Sequence, residues 1–350
     1  MRRALVVAWL AVTIVGAAVL PAGAGGDSSW TDLLARVPDR PGYRELVILN
    51  DYAAAREAID APEPGGDAKD RTHQLFELTQ DAGLAPVPLF TTADPETDVP
   101  GELGFRGSDI DTDAYAGVGP KALTILRGDV DADDIQDAAE ADDTWSDVLT
   151  TKEHAGVEYL SWDGEKVDPK RITPVRRLGQ GGRLAIDPPF LTWTTRTAPL
   201  EASLDAAAGD RPSLADDPVF STLDETLTEA GAFAAAMGEQ VEPGERDPGE
   251  PTLLPYLGFA TGAGADDDGP VMYVVLVHDD PAAATENAER LQSTLTTGTA
   301  ANRRPWSDLA SDVSVETHGK VVVATLHVES PRLWYQVVLE RDPLLVASSR

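Results

Sequence analysis

The sequence predicts an α+β fold: two tandem related units of mainly antiparallel sheet, with helices on one face. Three observations predict it. The C-terminal two-thirds of the chain is written twice. The apolar runs inside each copy are short and rich in β-formers. Helix caps and hairpin turns follow those runs at matching places.

The repetition is the primary signal. Gly119-Pro120 leads into the apolar run Ala122 to Leu126 and then Asp129; Gly269-Pro270 leads into Met272 to Val277 and then Asp279. From Gly to Asp the spacing is 10 residues in both copies. Trp145-Ser146-Asp147 recurs as Trp306-Ser307-Asp308, and His154-Ala155-Gly156 is answered by His318-Gly319. Leu103-Gly104-Phe105 and Leu257-Gly258-Phe259 lie upstream; Thr173-Pro174 and Ser330-Pro331, then Asp187-Pro188 and Asp342-Pro343, lie downstream. Seven phrases in one order point to duplication, with insertions falling in loops.

The elements follow in order. Residues 1–24 have the form of a secretory signal: Arg2-Arg3, an apolar stretch Ala4 to Leu20, and Ala22-Gly23-Ala24 as a small-x-small cleavage site. The alternative is an uncleaved anchor. Residues 25–100 form an N-terminal α/β segment: a short helix from Trp30 to Val37, a strand from Leu46 to Leu49, an alanine-rich helix ending near Asp60, and a helix from Thr72 to Asp81. Residues 92–102 read as loop. Residues 101–238 hold the first unit and its trailing helices, Leu200 to Met237, broken near Gly209. Residues 239–252 are a linker of Glu, Pro, Gly and Asp. Residues 253–350 hold the second unit. In each unit a buried strand precedes a capped helix, at Asp131 in the first and at Asp280 with Pro281 in the second. The Ala-Gly and His-Gly steps suit hairpin turns, and Trp145 and Trp306 suit core anchors.

The chain carries 28 basic and 60 acidic residues, a formal net charge of −32, and no cysteine. Such a field repels nucleic acid and anionic lipid. The missing cysteine excludes disulfides, thiolate metal sites and a lipidated cysteine anchor. No later segment is apolar enough to span a bilayer, so signal cleavage would leave no membrane span.

Against this acidic background one basic island stands out: Lys166, Lys170, Arg171, Arg176, Arg177 and Arg183, within 18 residues. Lys170, Arg171, Arg176, Arg177 and Arg183 are the candidate ligand-binding residues, for an anionic wall polymer or an acidic protein partner. The competing reading is that they pair with the chain's own carboxylates. No catalytic, metal or cofactor set is assigned. Asp129, Asp131, Asp133 and Glu140 fall at calcium-loop spacing, but Asp134 stands where the turn needs glycine, so they read as a helix cap. There is no Gly-x-Ser-x-Gly elbow, phosphate loop or dinucleotide fingerprint. His278 ends a strand, where catalytic residues often sit, but the first copy has Gly128 there.

The phrases Trp30…Leu33-Leu34…Val37-Pro38, Leu49-Asn50-Asp51-Tyr52…Arg56, Leu126-Arg127-Gly128-Asp129 and Ala206-Ala207-Ala208-Gly209…Ser213-Leu214-Ala215 resemble a loosely defined, uncharacterised group of exported bacterial cell-envelope proteins. The resemblance implies an envelope location and supplies no active site. Members often carry a lipid-bearing cysteine, which this chain lacks. The expectation is therefore a secreted or envelope-associated, non-catalytic protein of unknown ligand. The alternative is a secreted hydrolase with a carboxylate site. A hydrolase shows a deep pocket with converging acids and a perturbed carboxylate; a binder shows a groove or an exposed apolar patch.

Overall fold

The computed structural model describes residues 30–117, 119–162, 165–242 and 253–348. The signal segment and most of the 239–252 linker lie outside the described residues.

The chain begins with α1 (Thr31–Leu34) and α2 (Pro41–Arg44), then strand β1 (Val47–Asp51). Asp51 ends that strand and caps α3 (Tyr52–Ala58), its carboxylate accepting from the Ala54 amide at 2.7 Å. Next come α4 (Ala68–Asp81), α5 (Asp98–Leu103), β2 (Ile110–Ala116), β3 (Leu123–Gly128) and α6 (Ala132–Ala141), which Asp131 caps. The hairpin β4 (Leu149–His154) and β5 (Val157–Trp162) follows, then the hairpin β6 (Arg183–Asp187) and β7 (Phe190–Thr194). Two helices, α7 (Thr197–Ala207) and α8 (Pro218–Glu229), lead to β8 (Ala234–Glu239). The chain closes with β9 (Gly258–Asp266), β10 (Gly269–Val277), α9 (Pro281–Thr297), β11 (Ala310–His318), β12 (Val321–Val328) and α10 (Leu333–Leu339).

The 12 strands of the described residues form one antiparallel sheet, in the order β11-β12-β10-β9-β8-β1-β2-β3-β7-β6-β5-β4. The fold is α+β, as the apolar runs and hairpin turns predict. The same succession recurs in its two parts: hairpin, capped helix, Trp-Ser-Asp turn, hairpin. Trp145 and Trp306 are both buried. Ala155 and Gly156 both take positive φ, as a two-residue hairpin turn requires, and Gly319 does so at the matching turn. The parts then diverge. The first inserts the β6–β7 hairpin between β3 and β5, whereas the second pairs β10 directly with β12 and continues into α10.

Helices pack on both faces of the sheet, not on one. Residues alternate along β1: Val47 and Leu49 join one core with α1 and α8, while Ile48 joins the other with α3 and α4. The face of α3, α4, α5, α6, α9 and α10 carries the larger core. The opposite face is covered by α1, α2 and α8, and by α7 over Tyr159 and Ala185. The central strands are buried at almost every position, so both of their faces are covered.

Strand β8 replaces the end of the helical stretch expected from Leu200 to Met237. Ala234, Ala235 and Ala236 favour a helix in isolation, but they sit wholly buried between β1 and β9. Small side chains there let α8 approach: a Cβ at Gly258 would come within 2.6 Å of Val219 and 3.6 Å of Leu223. Similarly, α5 forms within the segment expected to be loop.

Candidate functional site

The basic island lies in the loop that joins β5 to β6, and most of its arginines face inward. Arg176 is buried under residues of three elements. It contacts Glu102 at 2.7 Å and Asp142 at 3.5 Å, and its guanidinium lies over the rings of Trp145, Trp162 and Trp193 at 5.2, 4.5 and 5.7 Å. Burial also raises the Glu102 carboxyl above its ordinary value, against the opposing pull of Thr173 and Arg176. Arg183 is buried on β6 and donates to Thr197 Oγ1 and to the Gly182 carbonyl. Arg171 grips Asp147 with both terminal nitrogens. Of the five candidates, Lys170 and Arg177 remain exposed, together with Lys166.

The histidines and the aspartate run have structural partners. His278 is 1 % exposed; its ring contacts the Lys320 carbonyl at 3.2 Å and the Asn287 amide at 2.8 Å. Burial lowers its pKa, so the neutral ring accepts from Asn287 and donates to the carbonyl. Asp131 caps α6 and Glu140 accepts from Gln136 within that helix, so the calcium-loop spacing belongs to a helix start. Asp266, Asp268 and His327 bring ligand atoms within 4.8 Å of one another at the β9–β10 turn. His327 already has the Asp266 carboxylate as its partner, at 3.0 Å.

A cleft of about 500 Å³ lies between α4 and the segment from Ala85 to Pro95. Asp67 caps α4. Thr72, Leu75, Phe76 and Thr79 follow the i, i+3, i+4, i+7 spacing and so form one stripe along the helix. That stripe is one wall; Val87, Phe90 and Ala93 are on the other. Arg71 holds Glu96 at 2.6 Å and Thr72 holds Asp94 at 3.0 Å, fixing the second wall against the helix. Among the described residues Asp94 is the one carboxylate lining the cleft, and Thr72 and the Glu96 amide both occupy it.

Arg332, which precedes α10, is the one cation lining the cleft among the described residues. It pairs with no carboxylate among the described residues; its Nη2 reaches the Thr79 carbonyl at 3.3 Å, and its Nε is buried without a partner.

Beneath the cleft, Tyr52 lines the floor and donates to buried Asp113 at 2.7 Å. Asn50 donates to both Asp113 oxygens and also ties the Ala85 backbone, accepting from its amide at 3.0 Å. Burial pushes the Asp113 carboxyl up to about 7, against the pull of its Tyr52 and Asn50 donors. Sequence reasoning missed this site because its parts come from residues 52, 72–80, 85–95, 113 and 332. The local signal was the phrase Asn50-Asp51-Tyr52.

No protein-family model and no curated protein matches the sequence. Among solved structures, crystal forms I, III and IV of TP0453 align with TM-scores of 0.40, 0.41 and 0.42, at 11, 12 and 10% identity. The alignments cover 88, 88 and 87% of this chain and 96, 97 and 95% of the TP0453 chains.

Proposed function

We propose that this chain is an exported, non-catalytic envelope protein that binds an apolar small molecule carrying one anionic end. The observation that carries the reading is the pairing of an apolar cleft with an uncompensated Arg332. The apolar walls suit a hydrocarbon body, and the cleft volume falls within the range of small-molecule sites. The guanidinium suits a carboxylate or phosphate, with a bidentate geometry available to it.

The hydrolase alternative has less support. Acid–base hydrolysis by carboxylates needs two of them flanking the reacting bond. The cleft is lined by Asp94 alone, and the perturbed Asp113 sits behind Tyr52, 1 % exposed. Export is supported by Arg2-Arg3, the apolar stretch after it and Ala22-Gly23-Ala24. Among the described residues no helix is long and apolar enough to cross a membrane.

The test is binding of a fluorescent long-chain fatty acid, with displacement by the unlabelled acid and by the alcohol of the same length. Arg332→Gln should weaken the acid about tenfold or more and leave the alcohol unchanged, as expected for loss of a charge-assisted contact. Equal affinity of both proteins for the acid would remove Arg332 from the site. No binding of either lipid would end the apolar-ligand reading.

A further inference from the structure

The loop from Glu165 to Gly182 combines exposed cations with exposed large apolar side chains, and the latter are scarce elsewhere among the described residues. With Arg171, Arg176 and Arg183 held internally, Lys166, Lys170 and Arg177 stand exposed and pair with no carboxylate among the described residues. Beside them in the chain are Val167, Ile172 and Leu178, 56, 57 and 65% exposed. These are three of the five large apolar side chains exposed among the described residues. A fourth, Phe76, lines the cleft. The loop is ordered by its own contacts. Val167 bridges Gln180, and the Asp168 amide donates to the Gly179 carbonyl at 2.7 Å, which sets the two ends side by side. It also touches the cleft wall, since Thr92 donates to the Pro174 carbonyl at 3.1 Å.

We propose that this loop seats the protein on an anionic lipid surface, with Lys166, Lys170 and Arg177 at the headgroups and Val167, Ile172 and Leu178 just beneath them. Cations interleaved with single apolar side chains match the boundary between lipid headgroup and acyl chain, where charge is outermost and hydrocarbon lies a few ångströms deeper. A soluble polyanion would use the three cations and gain nothing from the three apolar side chains. The formal charge of −32 acts against approach at long range. Its reach is limited to about 8 Å at physiological salt, so the charges nearest the membrane decide. Seating by this loop would also bring the neighbouring cleft close to a source of apolar ligands.

The full chain has no cysteine, so Ile172→Cys offers a single position for an environment-sensitive dye. On phosphatidylcholine vesicles containing phosphatidylglycerol, emission from that dye should shift to the blue, and much less on phosphatidylcholine alone. Changing Lys166, Lys170 and Arg177 to Ser should raise the lipid needed for half the shift at least about tenfold. The same dye at Glu289→Cys, exposed on α9, should not respond, which separates this loop from any other membrane contact. The unfolding midpoint and the fatty-acid affinity of the triple-Ser protein should match the parent, so the loop and the cleft are scored apart. An absent shift at position 172, or one indifferent to the three charges, overturns the proposal. So does an equal shift with soluble polyaspartate, which would assign the surface to an acidic polymer instead.

Discussion

Asn50 and Asp113 face each other in register across β1 and β2, and the asparagine amide donates to both carboxylate oxygens, at 3.2 and 3.1 Å. Tyr52 adds a third hydrogen bond, at 2.7 Å, from the first residue of α3. The three side chains join two central strands, a helix and the segment at Ala85 into one polar knot beneath an apolar cleft.

That knot makes stability depend on pH. Asp113 in the folded chain is raised from 3.8 to about 7, so between those values the folded state holds a proton that the unfolded chain has released. Its contribution is complete below about pH 4 and lost as pH rises through 7. Between pH 5 and 8 this one group should remove on the order of 2 kcal/mol of stability. Urea melts of the parent and of Asp113→Asn over that range should differ in slope, the variant being flatter. Parallel curves would mean that Asp113 stays ionised in the fold.

Arg176 and Arg177 are neighbours in sequence with opposite surroundings. Arg176→Ala leaves Glu102 and Asp142 without their buried cation and removes a plate between three indole rings. Its expected cost is about 3–5 kcal/mol. Arg177→Ala removes an exposed side chain and should stay within about 0.5 kcal/mol. Denaturant midpoints measured at constant m-value check both.

Phe76 separates binding from stability. Its ring is 59% exposed yet lines the cleft, so Phe76→Ser should leave the melting temperature unchanged while weakening any apolar ligand. Leu78, two residues on and 5% exposed, is its counterpart in the core. Leu78→Ala should cost about 2–5 kcal/mol. Calorimetric unfolding combined with fatty-acid titration distinguishes the two effects.

Much of the scaffold could be read from the sequence because its signals are local. Asp131 and Asp280 cap the helices expected of them, the turns at Gly156 and Gly319 close hairpins, and Trp145 and Trp306 anchor the core. What could not be read depends on distant partners. Arg176 and Arg183 look like surface cations until Glu102, Asp142 and Thr197 are brought to them. Asp187-Pro188 looks like the close of a repeat, but the chain folds back there as the β6–β7 hairpin. The cleft exists only once Arg332 meets α4.

Strand β8 is the sharpest of these cases, and its physics leads to a last prediction. The alanine run is paired on both sides, by β1 and β9, and Gly258 on β9 leaves room for α8 to lie close to the sheet. At Gly258 an added Cβ would meet Val219 at 2.6 Å and the Gly238 carbonyl at 3.1 Å, so Gly258→Ala should overpack this layer by about 1–3 kcal/mol. Gly42 lies in α2 with nothing within 4 Å of its Cβ position. There Gly42→Ala should stabilise by about 0.4–1 kcal/mol by restricting the unfolded chain. The two substitutions add the same methyl group, so opposite signs in thermal unfolding would show that the close approach of α8, not the added methyl itself, sets the cost at Gly258. Equal effects at both sites would mean that the layer between β9 and α8 yields to a methyl group without cost.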